Sequence, residues 1–117
     1  MELGFTFRNI ESTEAIKQWA QKRFQKVLKH LKEPNTAHLT LTVDKHRHRA
    51  ELSVHQQGDV LMAREETDDM YASLDGVMSK LEHVARRQKE RELARRQSER
   101  DAARRPKDRD RRTGTEF

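Results

Sequence analysis

A chain of 117 residues with 25 Lys or Arg, 20 Asp or Glu and no Cys has room for one domain with a small core and no disulfide to staple it. No stretch approaches the roughly 20 apolar residues that a bilayer-spanning helix needs. Met1 is followed by ELGFTFRNIE, which lacks the charged start and apolar run of a signal peptide, so a cytosolic protein is expected.

LGFTF alternates Leu3, Phe5 and Phe7 with small or polar residues, the period of a half-buried strand. Ser12 or Thr13 then offers an N-cap for EAIKQWAQKRFQKVLKHL, where Ile16, Ala20, Phe24, Val27 and Leu31 keep helical spacing up to Pro34 and Asn35. AHLTLTV alternates Ala37, Leu39, Leu41 and Val43, and HRAELSV alternates His48, Ala50, Leu52 and Val54, predicting two further strands. QQGD supplies a hairpin turn with Gly58 at a positive-φ position. VLMAR is a fourth strand whose inward set, Leu61 and Ala63 or Val60 and Met62, the pattern leaves open.

A second helix follows. Met70, Leu74, Val77, Leu81 and Val84 recur at spacings of three and four, behind EETDD, which offers Asp68 or Asp69 as an N-cap and carboxylates for the positive end of the helix dipole. The order β-α-β-β-β-α predicts an α+β fold, a four-stranded sheet with both helices on one face. Residues 1–91 form the expected domain. Residues 92–117 hold nine Lys or Arg against six acids, with Leu93 and Phe117 the only large apolar residues, and are expected to be a disordered or frayed-helical tail.

The charge distribution is more informative than the net value of +5. From Lys17 to Lys32 there are six Lys or Arg and no acid. At about 100° per residue, Lys22, Lys26 and Lys29 fall within about 60° of each other opposite the apolar arc of the first helix, with Arg23 flanking that arc. On the second helix Lys80, Arg87 and Arg91 fall within about 40° along the edge of the apolar stripe, with His83 beside them. Two such rows side by side would form a groove suited to a phosphate backbone. Arg47 and Arg49 share one face of the third strand and are candidates for further phosphate contacts.

Other chemistries find little support. His46, His48 and His55 could suggest a metal, but no Cys accompanies them, no third ligand is evident, and Lys45, Arg47 and Arg49 would repel a cation. Turn and cap roles explain Asp44, Asp59, Asp68 and Asp69. The sequence has no nucleophile arrangement, Gly-rich phosphate loop or zinc spacing, so no enzyme, metal or cofactor is expected. Trp19 and Tyr71 could stack on a base, yet each sits near an apolar stripe and is read as core.

The element order, the TEAI helix start and above all DDMYASLDGVMSKLE resemble the ribosome hibernation-promoting factor and ribosome-associated inhibitor A family, over roughly Met1 to Arg91. The resemblance implies a non-enzymatic domain that binds small-subunit rRNA at the decoding region, occludes the mRNA and tRNA sites, and represses translation in stressed or stationary cells. It implies rRNA contacts from basic residues of both helices, here Lys22 or Arg23, Lys26, Lys29, Lys80, Arg87 and Arg91. His83 stands where the family commonly has Arg. The Arg-rich tail resembles neither the dimerisation domain of the family's long form nor the acidic tail of some inhibitor-type members. A general double-stranded RNA-binding module is the alternative, since shape and phosphate recognition need the same basic rows.

Overall fold

The computed structural model describes residues 3–33 and 35–104. Its elements are β1 (Leu3–Arg8), α1 (Glu14–Leu28), β2 (Asn35–Asp44), β3 (Arg47–Gln56), β4 (Asp59–Thr67) and α2 (Met70–Arg104). The chain divides into two compact units, Met1–Arg86 and Arg87–Phe117.

In the first unit the sheet order is β1-β2-β3-β4. β1 and β2 run parallel, with Phe5 opposite Leu39, and α1 is the crossover that parallel strands require. β2, β3 and β4 form an antiparallel meander in which Leu39 faces Leu52 and Leu52 faces Ala63. Because side chains alternate, Leu3, Leu39, Leu41, Ala50, Leu52, Val54 and Leu61 share one face and are buried. They form one cluster with Ile16, Ala20, Phe24 and Val27 of α1 and Met70, Leu74, Val77, Met78, Leu81 and Ala85 of α2. Both helices therefore cover the same face of the sheet, as the patterning predicts.

The open parity of β4 is decided in favour of Leu61, which is buried, while Val60 and Met62 are 54% and 67% exposed on the far face. The pattern is ambiguous because β4 is an edge strand with apolar residues of both parities. Tight geometry marks the β3–β4 connection: Gln57 and Gly58 both have positive φ, at 39° and 84°. That is the two-residue turn whose twist matches the flanking strands, and glycine adopts the second position without steric cost.

The helix starts follow capping chemistry. Ile16 N–H donates to Thr13 Oγ1 at 3.1 Å, and Ala72 N–H donates to Asp69 Oδ2 at 2.9 Å, so Thr13 and Asp69 are the caps. α1 ends at Leu28, three residues before the Leu31 that periodicity suggests. His30 N–H and Leu31 N–H instead donate to the carbonyls of Val27 and Leu28, a tightened final turn that keeps Leu31 against the core. Pro34, expected to help end this helix, lies outside the described residues. Glu65 and Glu66, expected in the acidic start of the second helix, belong instead to β4.

The second unit contains α2 from Arg87 to Arg104. Glu92 pairs with Arg95 and Arg96 at spacings of three and four, and Leu93 is 52% exposed. Residues 92–104 are thus helical; residues 105–117 of the expected tail lie outside the described residues.

Candidate nucleic-acid interface

α1 buries Ile16, Ala20, Phe24 and Val27, so residues on its opposite side must face solvent. Lys22, Lys26 and Lys29 lie there, and none has an ion pair among the described residues. Lys26 and Lys29 also stand at the negative end of the helix dipole, where cations are favoured. The row is positive, uncompensated and carried by a rigid element.

Arg23 differs from its neighbours. Its side chain is only 15% exposed and reaches across to α2. Nε donates to Asp75 Oδ1 at 3.1 Å, Nη2 donates to Ser79 Oγ at 3.0 Å, and Glu82 Oε1 lies 3.8 Å from Nη2. Asp75, Ser79 and Glu82 follow at intervals of four and three and so form one stripe. His30 Nε2 meets the second oxygen of Glu82 at 3.1 Å. The side of α2 turned toward α1 is therefore acidic and hydroxylic, and Arg23 is the bridge that binds the helices together.

Lys80 lies on the other flank of α2. Nζ is 2.5 Å from Glu65 Oε1 and 3.0 Å from the Arg64 carbonyl oxygen, to which it donates. Gly76 makes this approach possible: a Cβ there would sit 2.8 Å from Glu65 Cγ. Lys80 thus points to β4, and the expected groove with basic rows on both walls is not formed between it and the α1 lysines. His83 instead joins Lys80, Ser79, Val84, Met62 and Ala63 around a recess of about 380 Å³. Arg87 and Arg91 belong to the second unit, and both are exposed.

The groove that does exist between α1 and α2 is lined by Trp19, Lys22, Arg23, Lys26 and Asp75, with a volume of about 380 Å³. Its α1 wall is cationic and aromatic, and its α2 wall contributes a carboxylate. Trp19 packs at right angles against Tyr71, with ring centroids 5.6 Å apart. Tyr71 is 40% exposed, so this pair lies at the margin of the core.

Arg47 and Arg49 occupy the sheet face away from the helices, as their shared parity requires. Both are occupied by Glu66: Arg47 Nε donates to Oε2 at 3.1 Å and Arg49 Nε to Oε1 at 3.4 Å. The Arg47 hydrogen bond is the main reason that the Glu66 carboxyl titrates below its ordinary value, partly opposed by burial and reinforced by Arg49. Two cations sharing one carboxylate leave a smaller positive excess than the α1 row. His46 is in the β2–β3 turn, while His48 and His55 fall on opposite faces of β3.

Sequence patterning does not reveal the partners Asp75, Ser79, Glu82, Glu65 and Glu66. Helical spacing is a usable signal for the α2 stripe, but its pairing with Arg23 joins residues 52 apart in the chain.

Residues 3–92 match the sequence pattern of the family described as Sigma 54 modulation protein / S30EA ribosomal protein. The ribosome hibernation promoting factor of Salmonella typhimurium is 32% identical over 91 residues, which is 78% of this chain and 96% of that protein. Its namesake from Escherichia coli K12 is 31% identical with the same coverage. Among solved structures, the N-terminal domain of Thermus thermophilus Protein Y superposes with a TM-score of 0.68 at 26% identity, covering 74% of this chain and 98% of that one. A ribosomal subunit interface protein from Coxiella burnetii shares the fold, with a TM-score of 0.67 at 22% identity over 76% of this chain and 98% of that one.

Proposed function

The chain belongs to the sigma 54 modulation protein / S30EA ribosomal protein family, and from that membership we propose that it is a ribosome hibernation factor acting without catalysis in the cytoplasm. It binds the small subunit through rRNA at the decoding region, occludes the mRNA and tRNA sites, and so represses translation under stress or in stationary phase. The observation that carries this reading is the row of Lys22, Lys26 and Lys29. These three lysines are without ion-pair partners among the described residues, and are held on one face of a helix whose other face is locked into the core.

Physical chemistry gives the row its role. Each phosphate that a lysine neutralises releases condensed counterions, a gain that depends on phosphate density and not on base identity. A rigid row fixes where along an RNA backbone those contacts fall, so shape supplies the site preference that charge alone lacks. Lys80 and His83 in the first unit, and Arg87 and Arg91 in the second, are further proposed rRNA contacts, and Lys80 would exchange its Glu65 contact for phosphate on binding. Arg23 supports the surface by holding α1 against α2. Arg47 and Arg49 are secondary candidates, because a phosphate there competes with Glu66.

Sedimentation through sucrose gradients tests the proposal. The protein should travel with small subunits and whole ribosomes, and an excess of free duplex RNA should fail to strip it off. Efficient competition by the duplex would instead assign it to general double-stranded RNA binding.

A further inference from the structure

The α1–α2 groove has a composition that phosphate binding alone does not need. Trp19 and Lys22, Arg23 and Lys26 line the same cavity of about 380 Å³, so an aromatic ring and two free ammonium groups converge on one space. We infer that this groove is a subsite for one unstacked nucleotide of a single-stranded RNA segment, with the base against Trp19 and the flanking phosphates on Lys22 and Lys26. The inference rests on the proposed function for the identity of the natural RNA, though the chemistry of the groove stands apart from it.

Three features support a nucleotide over a bare phosphate run. First, in the perpendicular Trp19–Tyr71 pair, at 77° between planes, one ring gives an edge to the other's face, so their contact cannot cover both planes. Trp19 is only partly buried and lines the groove, which leaves indole surface there for a base to cover. Second, the cations divide into two kinds. Arg23 is tied to Asp75 and Ser79 and forms a fixed wall, whereas Lys22 and Lys26, four residues apart on the same helix face, have no such partners among the described residues. Their long stems can reach phosphates on either side of a seated base. Third, the groove's volume of about 380 Å³ is within the range of sites that receive a small planar ligand, and a duplex, whose bases are already stacked and turned inward, offers Trp19 no free base face.

Trp19 is the only tryptophan of the chain, so its fluorescence reports on this groove alone. The full-length protein is titrated at one low salt concentration with penta-adenylate, with a ribose-phosphate pentamer that lacks bases, and with adenosine monophosphate. Saturable quenching by penta-adenylate is expected, with an affinity roughly 5- to 150-fold above that of the abasic strand, the range that stacking of one base supplies. The abasic strand should bind without quenching. Lys22→Gln combined with Lys26→Gln should weaken penta-adenylate binding several-fold while leaving the circular dichroism and cooperative melting of the free protein essentially unchanged, since both side chains lie outside the core.

Equal affinity for the abasic strand would overturn the subsite and reduce the groove to a phosphate track. Adenosine monophosphate binding as tightly as the pentamer would also overturn it, because the groove would then be a site for a free nucleotide. If penta-adenylate leaves Trp19 unquenched while the protein still travels with small subunits, the subsite falls and ribosome binding stands. Quenching without co-sedimentation would support the subsite and overturn ribosome binding.

Discussion

Arg23 Nε lies 3.1 Å from Asp75 Oδ1, and this contact turns a residue of the basic first helix into a structural clamp. The same guanidinium reaches Ser79 and Glu82, so its removal would leave two carboxylates and a hydroxyl of α2 without their cation. A side chain so enclosed contributes through hydrogen bonds and through the packing of its stem.

Arg23→Ala should therefore destabilise the fold by about 1–3 kcal/mol, the range for losing charged hydrogen bonds at a partly buried site. For a domain of this size each kcal/mol lowers Tm by roughly 4–8 °C. Lys26→Ala, on the exposed side of the same helix, should change stability by under about 0.5 kcal/mol. Paired thermal melts of the two variants check the contrast, and equal effects would contradict the assigned orientation of the α1 face.

Glu66 gives a dependence on acid. Its folded-state pKa is lowered from the ordinary 4.5, chiefly by the Arg47 hydrogen bond. A depressed carboxyl binds its proton less readily in the folded state, so its stabilising contribution is fully present above about pH 4.5 and is lost as pH falls through the lowered value. Glu66→Gln should remove that contribution. Denaturation of both proteins between neutral and acidic pH should show wild type more stable at neutrality, with the difference shrinking below about pH 4.5. A difference that grows on acidification would contradict the Glu66–Arg47–Arg49 arrangement.

Truncation after Arg91 addresses the basic C-terminal segment. Among the described residues the core cluster draws none from beyond Ala85, so the shortened chain should fold and bind ribosomes, with affinity reduced several-fold at low salt. That loss should shrink as salt rises, because added cations act through screened contacts. Circular dichroism and gradient sedimentation at matched salt read the two effects. Intact folding with abolished binding would move the main site into the removed segment.

The parts of this fold most legible in the sequence are those governed by local periodicity. Alternation at Leu39 and Leu41, and again at Ala50, Leu52 and Val54, locates the strand faces, and Ile16, Ala20, Phe24 and Val27 locate the buried side of α1. Two local ambiguities need tertiary context. Edge strand β4 has apolar residues of both parities, and only packing beneath the helices selects Leu61 over Val60 and Met62. The end of α1 is obscured because its tight last turn keeps Leu31 near the helical stripe.

The candidate site is legible in the same uneven way. Lys22, Lys26 and Lys29 are recognisable as a row because helical geometry alone sets their direction. Lys80 and Arg23 are not, because each is oriented by carboxylates distant in the chain or on another element, Glu65 for one and Asp75 with Glu82 for the other. Arg47 and Arg49 fall on the expected common face, but their shared partner Glu66 resembles part of a helix start when only the local run of acids is considered.

The most direct test of the account is the salt dependence of small-subunit binding for wild type and for a variant with Lys22, Lys26 and Lys29 all changed to Glu. If about six cations meet phosphates, the wild-type log-log slope should be roughly −4 to −5. The variant should remain cooperatively folded, with Tm lowered only by the loss of the cations favoured at the end of α1, about 0.3–1 kcal/mol each. It should bind at least about tenfold more weakly at low salt and show a slope shallower by roughly 2 to 3, for three lost contacts. A variant that binds with wild-type affinity and slope while remaining folded would contradict the claim that this row of α1 is the principal rRNA-binding surface.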